Sequence, residues 1–502
     1  MADRPISTHS AICFLSVWIV AFTFRHLFLQ FGEQETRYNM HHEIVFGVLS
    51  ARENSAQRHA VRETWGQYIR EQSELKNKVL LRFIVGSRGC DIPQQFREDM
   101  YSCQSVLLNT SMVNLNAEIV ALDFKMPLSN RYGATKSLEY FGTDFKVNYA
   151  LIVRKLGINA AALSQEKQCS VTLYDTWSQE PVIDVTFTPN DPGTLLDGFR
   201  FKDVETYLFP KNFEGTIVVG PLSKDDVWLS ERKNEQIGSH MHNTHKILSA
   251  RKILRTSKTK GFPSEIELLD FSFPLGNFVF EIYEPVKVDE MIKYSSAMAQ
   301  SQIERNNQES QTLKDEQKEY SDLLFVDEID VYRNIPQKLV HFFRWVINST
   351  EANFIIKTDD DCFMNVEAVI RMLQNGHITA KSRTWWGNFR TNWPLDVLGK
   401  WAETEYPAPV YPAFACGSGN LLTRDLVEWI AQNSQFLHVY QGEDVSMGIW
   451  LASILPYYID DSRWKCDDVC QQDVFVLPEL SPQQLRTSWK NWMQCQNPCS
   501  CG

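Results

Sequence analysis

The stretch Phe354-Ile355-Ile356-Lys357-Thr358-Asp359-Asp360-Asp361-Cys362-Phe363-Met364-Asn365 decides how this chain is read. Its apolar opening predicts a buried strand, and that strand runs into three consecutive carboxylates. Crowded like charges raise one another's pKa and cost free energy unless a cation neutralises them. A hard divalent ion taking oxygen ligands does so, above all one that also holds phosphates. A solvated Asp-rich turn is the other reading, because Asp closes turns and caps helices well. In open α/β sheets, ligands bind outside the carboxyl ends of strands, which is where the triplet falls.

Around the triplet the pattern is α/β. Residues 44–50 predict a buried strand, 55–74 a helix and 79–85 a second strand ending at Gly86, a β-α-β unit and hence a parallel sheet. Residues 323–326 resume that pattern, and 336–346 place Leu339, Phe342, Phe343 and Val346 on one helical face. Helices are predicted at 366–374 and 423–431. The segment 385–419, rich in Trp, Tyr, Pro and Gly, reads as the rim of a site. From 103 to 285 the chain instead offers short β-rich segments, at 171–174, 182–187, 216–219 and 278–283, broken by turns such as Pro189-Asn190-Asp191-Pro192-Gly193. That is the pattern of an antiparallel sandwich inserted into the first domain. The polar residues 286–320 predict a surface helix that returns the chain to its parent fold. The organisation is therefore a discontinuous α/β domain over 44–103 and 320–465, a β-rich insert with its return helix over 104–319, and a Cys-rich segment over 466–502.

With 502 residues the chain can build two or three cored domains, and its formal net charge of -12 argues against a nucleic-acid partner. The basic run from Arg251 to Lys260 is the local exception, read as a solvated loop or as a phosphate-recognition patch. An apolar run from Ala11 reaches spanning length when carried past Arg25 to Phe31, and no small-x-small cleavage site follows. We read 11–31 as an uncleaved signal anchor, 1–10 as a cytosolic tail and 32–43 as a stem, with the remainder in a lumen of the secretory pathway. Cys13 lies in that anchor; ten cysteines remain, and five crowd the last few dozen residues, which in an oxidising lumen favours disulfides over zinc. The sequons at Asn109 and Asn348 fit the same compartment. Nothing here sets an oligomeric state.

An acidic pair that holds a metal in a lumenal α/β domain suggests chemistry on a nucleotide diphosphate, where a cation eases departure of the leaving oxygen. An inverting sugar transfer also needs a base to take the acceptor hydroxyl's proton. Asp444 or Glu443 is placed for that by chain order, and either could instead be a helix-capping acid.

These blocks resemble the β-1,3-glycosyltransferases of the galactosyltransferase family. The likeness is carried by Ser50 with Arg58, Arg62, Thr64 and Trp65; by Asp327, Asp330, Tyr332, Asn334 and Lys338; and by Trp345 and Lys357-Thr358-Asp359-Asp360-Asp361. It continues through Tyr406-Pro407, Tyr411-Pro412, Cys416-Gly417-Ser418-Gly419 and Glu443-Asp444-Val445. The resemblance implies a GT-A-type nucleotide-sugar domain, a mostly parallel sheet flanked by helices. It implies that Asp359 and Asp361 hold a divalent metal, manganese, against the phosphates of a UDP-sugar. Asp360, with Lys357, Arg58 and Arg62, would bind the nucleotide-sugar; an internal salt bridge is the other reading of the two arginines. Asp444 matches the family's base, with Glu443 beside it on the acceptor side. Trp386 and Tyr411 are candidates for an acceptor wall, since sugars stack on aromatic rings; core packing is their alternative and the one favoured for Phe414. Asp327, Asp330 and Tyr332 are read as knitting the fold. Cys362 and Cys416 are read as disulfide partners of other cysteines. Ile335-Pro336 departs from the Leu-Thr of many members, and Pro is benign in a helix's first turn.

Within the family, Trp385 to Arg390, Tyr411 to Gly419, Tyr440 to Trp450 and the position of the insert point to a branch that transfers GalNAc to the 3-hydroxyl of β-linked GlcNAc. That branch implies O-mannosyl glycans, as on dystroglycan, and an endoplasmic reticulum or Golgi membrane. Transfer of galactose or GlcNAc instead, or a glycan-binding protein without turnover, are the alternatives.

Overall fold

The computed structural model describes residues 42–109, 113–121, 138–160, 168–223, 246–268, 275–376, 378–379 and 382–501. The segment 11–31, read above as an anchor, lies outside them; among the described residues no helix is long and apolar enough to cross a membrane.

Strand Ile44–Leu49 is buried at every position and lies between two parallel neighbours, Val79–Arg88 and Phe354–Asp359. A strand covered on both faces takes a continuous apolar run, so its sequence shows no alternation. The full seven-stranded sheet runs Leu323–Ile329, Val79–Arg88, Ile44–Leu49, Phe354–Asp359, Gly419–Thr423, Thr384–Gly387, Tyr457–Asp460. Only Gly419–Thr423 opposes its neighbours. Successive side chains point to opposite faces. Val45, Leu49 and Ile355 therefore meet helices Ile335–Ser349, Arg424–Asn433 and Glu443–Ala452, while Phe46, Val48 and Ile356 meet Ser55–Glu63, Val366–Gln374 and Pro482–Cys495. Pro336 sits in the first turn of its helix and is tolerated there, because that turn's N–H groups have no intrahelical partner.

The helix predicted over 55–74 is two, Ser55–Glu63 and Trp65–Glu71. Thr64 leaves helical geometry and its hydroxyl bonds back to the Ala60 carbonyl at 2.7 Å. The break turns Trp65 inward, where its indole N–H donates to the carbonyl of Cys362 at 3.0 Å. A local helical period cannot anticipate such a break, because the partner lies at the end of a distant strand.

Between the two halves of this domain stand two antiparallel sheets, one of six strands and one of five. They pack face to face through Phe145 of one and Phe209 and Phe278 of the other, with the Phe145 and Phe278 ring centres 5.0 Å apart. The β-rich segments read from sequence all fall in these strands. The basic run lies mainly in strand Leu248–Ser257 and leaves it as an exposed bend at 258–260; within the strand Arg255 is buried in bidentate contact with Asp144 at 2.8 Å.

The polar return segment forms helices Pro285–Lys293 and Ser295–Tyr320. It does more than coat the surface. Glu309 bonds Arg52 at 2.7 Å, and Glu316 takes both Arg58 and Arg62. Disulfides join Cys90 to Cys103, Cys416 to Cys466, Cys470 to Cys499 and Cys495 to Cys501, so the C-terminal cysteines pair with sulfur as compartment reasoning expected. Cys362 is a correction: it is a free, fully buried thiol whose S–H points at the Ser418 carbonyl, 3.4 Å away.

Candidate active site

Strand Phe354–Asp359 delivers Lys357 and Asp359 to the carboxyl end of the sheet, and a tight turn follows. The three acids part at once. Asp360 turns back to the first strand, accepting from Ser50 Oγ at 2.6 Å and Asn54 Nδ2 at 3.0 Å. Burial still pushes its carboxyl up to about 6. The backbone of Asp361 is held by the amide of Leu480 at 2.9 Å. Asp359 remains partly exposed, 3.0 Å from Lys357 Nζ.

Lys357 is 0% exposed, a cost no lysine bears without partners. Its ammonium meets Asp359, Glu443 Oε1 at 2.6 Å and the carbonyl of Gly417. These anions outweigh the desolvation that would lower its pKa and hold it charged, above the ordinary lysine value. Gly417 is glycine for want of room: a Cβ there would lie 3.0 Å from Glu443 Oε1 and 3.7 Å from both Asp444 Oδ2 and Lys357 Nζ. That one backbone position therefore marks where the strand carrying the triplet and helix Glu443–Ala452 converge. Thr358 Oγ1 bonds the Ser418 carbonyl at 2.8 Å, and the Cys416–Cys466 disulfide ties the same loop to the chain beyond it.

Asp444 stands in the first turn of its helix, its Oδ1 accepting from the Val445 amide at 2.8 Å. Burial first, then the charge of Glu443, raises its pKa. Burial likewise raises that of Asp359, helped by Glu443 and Asp361 and opposed by Lys357. Asp359 and Glu443 share the one buried ammonium, and Asp444 stands beside Glu443, so carboxylates outnumber cations at the mouth of the sheet. No cluster of three or more His, Cys, Asp or Glu side chains able to hold a metal occurs among the described residues, so any ion here needs ligands beyond the chain's own acids.

The other residues singled out from sequence are distributed differently. Arg58 and Arg62 turn to the return helix, where Glu316 accepts from both and Asp322 adds two bonds of 2.8 Å to Arg62. The nucleotide-facing reading of this pair is corrected to the internal salt bridge; Arg58 also bonds Ser50 at 2.9 Å, which in turn donates to Asp360. Trp386 is corrected from acceptor wall to core: it is 1% exposed and packs edge-on to Trp464 and Phe475. Tyr411 is likewise buried, stacked on Tyr406 and edge-on to Phe414, which follows its favoured core reading. Glu443 spends a carboxylate oxygen on Lys357. Asn109 and Asn348 are exposed. Asp330 knits the fold as read, bonding Lys338 Nζ at 2.7 Å and the Gly86 amide at 2.8 Å.

Tyr332 packs edge-on to Tyr101, as a residue that knits the fold would, and it also feels the acids of the site. Burial and the charges of Glu443, Asp444 and Asp359 all raise its pKa, and the indole of Trp401 donates to its hydroxyl at 3.1 Å. The signal was its position just beyond a strand's carboxyl end, the same argument that singled out the acidic triplet.

Comparison with known proteins agrees with this geometry. Residues 301–457 match the model of the galactosyltransferase family. A UDP-GalNAc:beta-1,3-N-acetylgalactosaminyltransferase 2 of Xenopus laevis is 36% identical over 469 residues, covering 92% of each chain. The human protein of that name is 36% identical over 92% of this chain and 90% of its own length. Mouse beta-1,3-galactosyltransferase 6 is 27% identical over 36% of this chain and 57% of its own. The match to the first two runs through the β-rich insert as well as the α/β domain, and the chain belongs to the galactosyltransferase family.

Proposed function

We propose that this chain is an inverting β-1,3-N-acetylgalactosaminyltransferase that moves GalNAc from UDP-GalNAc to the 3-hydroxyl of a β-linked GlcNAc. The natural acceptors in this reading are O-mannosyl glycans of glycoproteins such as dystroglycan. The segment 11–31 would anchor the enzyme in an endoplasmic reticulum or Golgi membrane, with its catalytic domain in the lumen. The observation that carries the reading is the convergence of Asp359, Lys357, Glu443 and Asp444 around Gly417.

The chemistry follows from these positions. Asp444 takes the proton of the acceptor hydroxyl while that oxygen forms its bond to the anomeric carbon, and the bond from that carbon to the UDP oxygen breaks on the far side. Attack from the face opposite the leaving group inverts the anomeric centre. Burial and Glu443 raise the proton affinity of Asp444, the direction a general base needs. Lys357 contacts both Glu443 and Asp359 and so ties the helix that carries the base to the strand that carries the acidic triplet. The oxygen donors and surplus negative charge fit a hard cation, with Asp359 and Asp361 holding it. A divalent ion, manganese by family likeness, would there offset the charge of the departing diphosphate.

Purified protein supplied with UDP-GalNAc, UDP-galactose and UDP-GlcNAc beside a β-GlcNAc acceptor tests the reading. GalNAc transfer with a β-1,3 linkage, read by NMR of the product, is the expected result. Transfer from only one of the other two donors would reassign the sugar; no transfer from any of them would leave a binding protein.

A further inference from the structure

A cleft of about 1490 Å³ is walled on one side by the β-rich insert and on the other by the transferase domain. It exceeds the ~300–1,000 Å³ of an ordinary small-ligand pocket, so it has room for several sugar units. From the insert comes Trp177, 63% exposed, its ring lying so close to Gly399 of the opposite wall that a Cβ there would stand 2.8 Å from it. Lys211 of the insert also bonds the Gln95 carbonyl across the gap at 2.7 Å.

The cleft's central charges are already spent on each other. Asp99 faces Arg333 at 3.3 Å and Lys146 at 3.9 Å. Both carboxylate oxygens of Glu403 accept from backbone amides, including that of Gln441 at 2.8 Å. Two of the lining amides each have an atom left over. Gln441 is 9% exposed and its Nε2 is buried without a hydrogen-bond partner; so is Oε1 of Gln337. An idle amide donor and an idle carbonyl acceptor suit a hydroxyl, which both accepts and donates. With an exposed indole face nearby, the two amides and the ring suit a polyhydroxyl chain.

Two of the cleft's lining residues are close in the chain to residues of the candidate active site. Gln441 stands three positions before Asp444, and Arg333 follows Tyr332, whose hydroxyl feels Glu443, Asp444 and Asp359. We propose that this cleft between insert and transferase domain is a subsite for the sugar units of the acceptor beyond the reacting one, with Trp177, Gln337 and Gln441 as its contacts. The inference rests on the reading of the chain as a transferase acting on a glycan.

The test uses the whole purified protein and its Trp177→Ala and Gln337→Leu variants, with unfolding curves to show that both remain folded. Three acceptors are compared: a β-GlcNAc monosaccharide glycoside, a β-GlcNAc-terminated trisaccharide, and β-GlcNAc attached directly to a peptide. Both variants are expected to lower kcat/KM about tenfold for the trisaccharide relative to the monosaccharide, which does not reach the cleft. Equal losses on all three acceptors, or none, overturn the subsite. A loss confined to the glycopeptide overturns it too, because the occupant is then polypeptide. If the wild-type protein transfers to no acceptor, the proposed function itself has failed and the subsite falls with it.

Discussion

Replacing Glu316 with alanine removes the acid that faces two buried guanidinium groups. Its carboxylate accepts from Arg58 Nε and Nη2, each at 2.8 Å, and from Arg62 Nη2 at 2.7 Å. The loss is unequal. Arg62 keeps both of its bonds to Asp322, whereas Arg58, 0% exposed, is left with Ser50 Oγ and two backbone carbonyls. Breaking a buried pair from one side costs about 3–5 kcal/mol, because the remaining charge is stranded. The pH dependence has a definite sign. Burial alone would raise the Glu316 carboxyl, but its bonds to Arg58 and Arg62 win and hold it below the ordinary value. A carboxyl depressed in the folded state stabilises fully above its unfolded pKa and loses that stability as pH falls through its folded one. Denaturant unfolding followed by tryptophan fluorescence should therefore show the full gap between wild type and variant from neutrality to about pH 5, narrowing below about 4.3. A gap under about 1 kcal/mol at neutral pH, or one that grows on acidification, would refute the clamp.

Lys357→Met strands Asp359 and Glu443 without their shared cation and should destabilise the domain by about 3–5 kcal/mol, with transfer lost; a denaturation midpoint equal to wild type would show that the acids do not need it. Opening the Cys416–Cys466 bridge by Ser substitution at both positions frees a loop of 50 residues that carries Gly417. It should cost about 2–4 kcal/mol and depress transfer, whereas the same change at Cys495 and Cys501, which close a separation of 6, should leave kcat near wild type.

The central sheet was legible because a strand buried on both faces takes a continuous apolar run, as in Ile44–Leu49 and the opening Phe354-Ile355-Ile356 of Phe354–Asp359. The acidic end of the second strand was legible too, since three adjacent carboxylates have few uses. What stayed hidden depends on partners distant in sequence. Arg58 and Arg62 read as donor ligands until the return helix brings Glu316 over them, 258 and 254 residues further on. Trp386 read as a sugar platform because composition makes Trp385 to Gly419 look like a rim; a short strand instead carries it into the core. Gly417 gave no local sign of its closeness to Glu443 and Lys357, because its constraint is a neighbour's volume.

The account's central claim is a division of labour at the mouth of the sheet, Asp359 and Asp361 holding the diphosphate end through a metal and Asp444 removing the acceptor's proton. Calorimetric UDP-GalNAc binding with manganese, measured beside transfer in the same preparations, separates the two tasks. Asp444→Asn should bind donor as wild type does while transfer falls by about 10²–10⁴, and Asp359→Ala with Asp361→Ala should lose metal-dependent binding altogether. Undiminished transfer by the first variant, or unchanged metal-dependent binding by the second, would contradict it.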